Sequence, residues 1–232
     1  MIISHKHRFI FIKTAKTAGT SIEIFLSPHC GEDDVFTPIH PHVDPHRPRN
    51  FTGLWNPLPE WFANRFERFR HTLRDLRQRR KFINHLPARL AKYRMPREIW
   101  DGYFKFCVER NPWDKTLSHF HMLRKMMAEN EKIDLDFDTY LARGRFCTNI
   151  EKYTDIHGNL MVDRVLRFEN LNEELAEVFS RFGIPFDGTL GVNAKANFRK
   201  DRRPYQEIYS ENQRRIVENA FADEIQMHGY EF

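Results

Sequence analysis

The feature that most constrains this chain is an apolar run ending in a loop of lysine and small residues. Phe9-Ile10-Phe11-Ile12 leads into Lys13-Thr14-Ala15-Lys16-Thr17-Ala18-Gly19-Thr20-Ser21. Four consecutive apolar residues suit a buried strand. Thr20 to Leu26 suits a helix with hydroxyls at its start. Strand, short loop and helix N-terminus together form a place where anions bind, because the first N–H groups of the helix are unpaired and its dipole adds partial positive charge. Gly19 is expected to let the backbone approach a ligand, and Lys16 adds a full charge. The plainer alternative is a helix cap with solvated lysines.

Further along, Phe104 to Val108 and Arg164 to Phe168 are strand candidates, and each is followed by a helix. The first helix carries Leu117, Phe120, Leu123 and Met127 on one face, and the second carries Leu171, Leu175, Val178 and Phe182. Ser210-Glu211-Asn212-Gln213 has the pattern of a capping box opening a last helix. Strands alternating with helices predict an α/β fold of three layers, a mostly parallel sheet flanked by helices on both faces. At 232 residues, 41% of them hydrophobic, the chain is expected to form a single domain, 1–232. A Pro- and His-rich, then basic, insertion is expected at about 30–97. There, Pro38 to Pro59 excludes a long helix or central strand, and 65–97 holds twelve Lys and Arg against Glu67 and Asp75.

No apolar stretch near the start approaches the roughly 20 residues needed to span a bilayer, and the N-terminal residues lack the pattern of a signal peptide. Cys30, Cys107 and Cys147 are too few and too far apart for a disulfide framework or a zinc site. These features predict a cytoplasmic protein. The net charge of +5 favours anionic ligands. His40, His42, Asp44 and His46 sit among prolines that stiffen the segment, so a solvated loop is expected there and no metal.

The loop differs from a Walker A motif, which places Lys directly after the second Gly to reach the phosphates of a Mg²⁺-bound triphosphate. Thr20 stands in that position here. The second constellation is Cys107-Val108-Glu109-Arg110-Asn111-Pro112-Trp113-Asp114 through Ser118. It puts an arginine at the C-terminal end of a strand, where open α/β sheets bind ligands and where a guanidinium can grip phosphate with two N–H groups. Alternatively, Arg110 pairs with a structural carboxylate such as Asp114.

The two segments resemble the 5′-phosphosulfate loop and the 3′-phosphate motif of the sulfotransferases that use PAPS (3′-phosphoadenosine 5′-phosphosulfate), especially the carbohydrate-type branch in a soluble, bacterial-like form. Val165 to Leu171, Phe198 to Lys200 and Ile225 to Phe232 extend the likeness to about two-thirds of the chain. One departure is Ala15, where the familiar motif has Pro before its lysine. The resemblance implies a P-loop-NTPase-like sulfotransferase fold. It implies PAPS as donor, no metal, and sulfuryl transfer to a hydroxyl or amine of an acceptor such as a saccharide. It also implies that Lys16, Thr17, Ala18, Gly19, Thr20 and Ser21 hold the 5′ side, and that Arg110 and Ser118 hold the 3′-phosphate. Arg199 and Lys200, with Arg202 or Arg203, would close over the nucleotide.

Such a transfer needs a base for the acceptor proton and positive charge beside the leaving phosphate. Lys16 suits the second role. His85 is expected as the base, because related chains resemble this one in placing a histidine shortly before the second strand. His119 and His121 are competitors for that role. The rival classes are a P-loop kinase or NTPase using Glu109 on the metal side, and a non-catalytic protein that grips a polyanion through the basic block. No nucleic-acid partner is expected, since the stacked aromatic pattern of single-strand binders is missing.

Overall fold

The computed structural model describes residues 1–63, 69–191 and 203–232. The chain opens with β1 (Ile2–Ser4), β2 (Phe9–Phe11) and α1 (Gly19–Leu26), then β3 (Val35–Phe36). Four helices follow, α2 (Leu58–Ala63), α3 (Phe69–Arg77), α4 (Ala88–Arg94) and α5 (Arg97–Gly102), before β4 (Phe104–Glu109). Next come α6 (Pro112–Asn130), α7 (Phe137–Ala142), α8 (Ile150–Tyr153), β5 (Arg164–Arg167), α9 (Leu171–Arg181), α10 (Glu211–Ala220) and α11 (Ala222–His228).

Among the described residues the sheet has five strands in the order β3-β1-β2-β4-β5. β2 pairs parallel with β4, and β4 with β5, whereas β1 pairs antiparallel with both β2 and β3. Four strands therefore share one direction and β1 alone runs against them. The sheet is mixed, not mostly parallel by its pairings, because β1 and β2 are joined by a tight turn in which Arg8 takes a left-handed backbone. Sequence reasoning missed β1 and β3, which are only three and two residues long.

Alternation along each strand sends side chains to opposite faces. Ile2, Phe9, Phe11, Phe36, Phe106, Val108 and Leu166 pack with α1 and α9 through Ile22, Leu26, Leu175, Val178 and Phe179. Ile3, Ile10, Ile12, Val35 and Cys107 face the other way, against Phe82, Leu86, Leu90, Ala91, Trp100 and Tyr153. These two layers flank the sheet as the alternation of strands and helices predicts. The segment 30–97 is built into this core, since it supplies an edge strand and α4. A third cluster, with Trp113, Phe120, Tyr140, Val217 and Phe221, joins α6, α7 and α10.

The capping box is present at α10, with the Ser210 side chain and the Gln213 side chain each bonding the other's backbone N–H. No helix of the described residues is long and apolar enough to cross a membrane.

Candidate anion site at the sheet edge

The loop between β2 and α1 is held from below. The Thr14 hydroxyl donates to the Val108 carbonyl at 2.5 Å and bonds the Thr17 hydroxyl at 2.7 Å, so both threonine side chains point into the protein. Lys16 and Ala18 take left-handed backbone, with φ of 64° and 57°, on either side of Thr17. Left-handed residues of this kind belong to the backbone pattern that forms anion-binding concavities. Ala18 is the N-cap of α1 and offers no side-chain cap, which leaves the first N–H groups of the helix to another partner. Thr20 and Ser21 are buried at the helix start.

The two lysines of the loop have separate roles. Lys13 is buried and pairs with Glu23 of α1 at 2.5 Å, and Glu23 also takes the Met1 amino group. Burial alone would raise the Glu23 carboxyl, but the Met1 amine and Lys13 hold it below its usual range. Gly19 is required by this arrangement. A Cβ there would lie 2.8 Å from Lys13 Cγ, so the glycine makes room for a buried lysine, where the sequence suggested room for a ligand.

Asn149, which sequence reasoning missed, locks the loop to the core. Its Oδ1 accepts from Ala15 N at 2.9 Å and its Nδ2 donates to Ala15 O at 3.0 Å, imitating a strand pairing. The first of these bonds needs an N–H at position 15, which proline lacks, so the departure from the familiar motif has a structural use. Asn149 Nδ2 also lies 3.2 Å from Glu109 Oε1. Glu109 is fully buried and accepts from Lys115 Nζ at 2.7 Å, Tyr153 Oη at 3.0 Å and Arg110 N at 2.9 Å. A carboxylate so engaged is poorly placed to bind a metal, which argues against the kinase alternative.

Arg110 follows β4 and reaches the loop. Its Nη1 donates to the Lys16 carbonyl at 3.1 Å, while Nε and Nη2 donate to Asp114 Oδ2 at 2.8 and 2.6 Å. The Asp114 pairing weighed from the sequence is thus present. The guanidinium also lies over the Phe168 ring, 4.2 Å from its centre. Of its five N–H donors, the described residues engage three. Ser118 stands two turns along α6 and is half-buried.

Asn111 caps α6 and draws further segments in. Its backbone N donates to Glu169 Oε1 at 2.6 Å and its side chain donates to the Glu231 carbonyl at 2.8 Å. Phe232 packs edge-on against Trp113. The described stretches that carry the family resemblance therefore meet at this edge. Arg199, Lys200 and Arg202 lie outside the described residues, and Arg203 is exposed.

The expected base is also tied to the loop. His85 Nδ1 is 3.1 Å from the Lys13 carbonyl, and a carbonyl can only accept, so Nδ1 carries the hydrogen and Nε2 keeps its lone pair. Burial, then the charges of Lys13 and its neighbours, push the ring down to about 3. His85 takes a left-handed backbone, φ 58°, a strained conformation of the kind found where a side chain must be aimed. His119 bonds the Tyr140 hydroxyl at 2.9 Å, and burial, helped by Lys16, lowers it to about 4. The site thus holds two neutral imidazoles near a cationic loop.

No family model matches the sequence. An uncharacterized protein of Archaeoglobus fulgidus is 31% identical over 121 residues, which are 50% of this chain and 98% of the archaeal one. The chain belongs to the family of that archaeal protein. The match spans nearly the whole relative, so the archaeal protein is about half as long as this chain.

Proposed function

We propose that the protein is a sulfotransferase that moves a sulfuryl group from PAPS to a hydroxyl or amine of an acceptor such as a saccharide. The observation that carries this reading is the 3.1 Å bond from Arg110 to the Lys16 carbonyl. It joins at one sheet edge the two segments that resemble the 5′- and 3′-phosphate motifs. The residues present suit a nucleotide with two separate anionic groups. They offer left-handed backbone at Lys16 and Ala18, a helix start without a side-chain cap at Ala18 and a guanidinium with two N–H groups that the described residues do not engage.

The donor, when bound, supplies an activated sulfuryl group on a phosphate leaving group. Lys16 and the helix start stabilise the negative charge that grows on that phosphate. Arg110 selects nucleotides with a 3′-phosphate, which separates PAPS from ATP. His85, with Nδ1 on the Lys13 carbonyl, is placed to accept the acceptor's proton at Nε2 as the new oxygen–sulfur bond forms; held down to about 3 before substrate binds, it keeps that proton only while the developing negative charge is beside it. Asn149 and Thr14 keep the loop in position without touching the nucleotide.

Calorimetric titration with PAP, the desulfated product, beside ADP and ATP with and without Mg²⁺, tests the reading. Metal-independent binding with a clear preference for PAP supports it. Preference for ATP with Mg²⁺, or no nucleotide binding, refutes it.

A further inference from the structure

The basic block has a second feature, which owes nothing to the sulfotransferase reading. α3 is packed on the protein by its polar side. Thr72 and Asp75 are buried, with the Thr72 hydroxyl donating to Glu60 at 2.5 Å and Arg94 reaching Asp75 at 3.3 Å and Glu60 at 2.9 Å. Arg94 is itself 2% exposed and lies over the Trp55 ring at 4.4 Å. This buried network holds α2 and α3 to α4.

Several apolar residues of these two helices, and Leu54 just ahead of them, are turned outward. Leu54, Leu58, Phe62, Phe69 and Leu73 are 65%, 51%, 69%, 38% and 41% exposed, five of the nine large exposed hydrophobic residues among those described. In a water-facing helix the apolar stripe normally turns inward, so here the usual arrangement is reversed. Phe69 and Leu73 follow at i, i+4 along one flank of α3. Trp61 of α2 packs against Phe69 with ring centres 4.7 Å apart, which makes the two helices one surface.

Among the described residues, the exposed charge of that surface has one sign. Arg70, Arg74, Arg77 and Arg79 are exposed, whereas Glu60 and Asp75, the acidic residues of α2 and α3, are 1% and 2% exposed and paired with Arg94. Exposed Leu and Phe framed by arginine, with the carboxylates withdrawn, is the composition of an interfacial membrane-binding face. A soluble polyanion would neutralise the arginines but leave the leucines and phenylalanines in water. A bilayer interface satisfies both.

We propose that the α2–α3 face docks the protein peripherally on an anionic lipid surface, with Leu58, Phe62, Phe69 and Leu73 entering the headgroup region and Arg70, Arg74 and Arg77 meeting lipid phosphates. The test is co-sedimentation of the full chain with phosphatidylcholine vesicles and with vesicles that also contain phosphatidylserine. Phe62→Ser/Leu73→Ser and Arg70→Gln/Arg77→Gln variants are run beside it. All four side chains are exposed, and thermal melting of each variant checks that folding is intact.

The wild type is expected to sediment with the phosphatidylserine vesicles and to be released by salt. Each double variant should partition roughly tenfold less or weaker still. No sedimentation with anionic vesicles, or variants that sediment like the wild type, overturns the proposal. So does sedimentation velocity showing a dimer that Phe62→Ser/Leu73→Ser dissolves, which would assign the face to a second copy of the chain.

Discussion

Replacing Asn149 by Ala examines how the anion loop is held. The substitution removes two bonds to Ala15, of 2.9 and 3.0 Å, and one of 3.2 Å to Glu109. At about 1 kcal/mol net for each intramolecular hydrogen bond, the loss is about 3 kcal/mol. Asn149 is fully buried, so no water replaces the missing groups without rearrangement. Urea unfolding followed by circular dichroism reads this loss directly, as a lower midpoint at unchanged slope.

The loop would then sample conformations that do not present Lys16 and Ala18 correctly. PAP affinity should therefore fall by roughly tenfold even where the variant is fully folded. Asn149→Asp keeps the shape and the acceptor for Ala15 N, but it loses the donor to Ala15 O and sets a carboxylate beside Glu109. It should be worse than Ala on both measurements. An Asn149→Ala variant within about 0.5 kcal/mol of wild type and with unchanged PAP affinity would refute the view that this residue organises the loop.

Other consequences are open to simple measurement. His85 is held down to about 3 against about 6.5 in an unfolded chain, so between those values the unfolded state binds the extra proton. Stability should fall as pH drops from 6.5 toward 3 by on the order of a few kcal/mol, and His85→Gln should flatten that dependence in urea melts at pH 7 and 4.5. Equal slopes for the two proteins would contradict it. Gly19→Ala places a methyl group 2.8 Å from Lys13 Cγ and should cost about 1–3 kcal/mol, read as a lower melting temperature; an unchanged melt would show that Lys13 can move aside freely. Arg110→Ala should weaken PAP binding far more than ADP binding in calorimetry, and an equal loss for both would remove its assigned role at the 3′-phosphate.

Much of the molecule was legible in the order of its residues. Phe104 to Val108 and Arg164 to Phe168 read as strands, one residue off the observed ends at Glu109 and Arg167, and α6, α9 and the cap of α10 follow from apolar spacing and from Ser210 and Gln213. These are local signals, set by side-chain periodicity and by hydrogen bonds between residues three or four apart. The short strands β1 and β3 carry too few residues to show a period, and only pairing with a neighbour makes them strands. The reversed direction of β1 is a property of that pairing.

The site divides in the same way. A lysine, a glycine and two hydroxyls after a strand mark the loop, and Arg110 marks the neighbouring strand end, because anion binding needs those groups near a helix start. The sequence alone marked the candidate anion-binding residues and the helices α1, α6, α9 and α10, whereas α4, α5, α7, α8 and α11 are short elements it did not mark. It assigned a role to Lys16 and none to Lys13, and it did not show that Lys13 is buried against Glu23, because burial depends on what packs above. Nor did it show Asn149, 134 residues from Ala15, or the buried Arg94 that turns α3 outward. Those roles arise from contacts between distant parts of the chain, and such contacts exist only once the sheet and its two helical layers have brought those parts together.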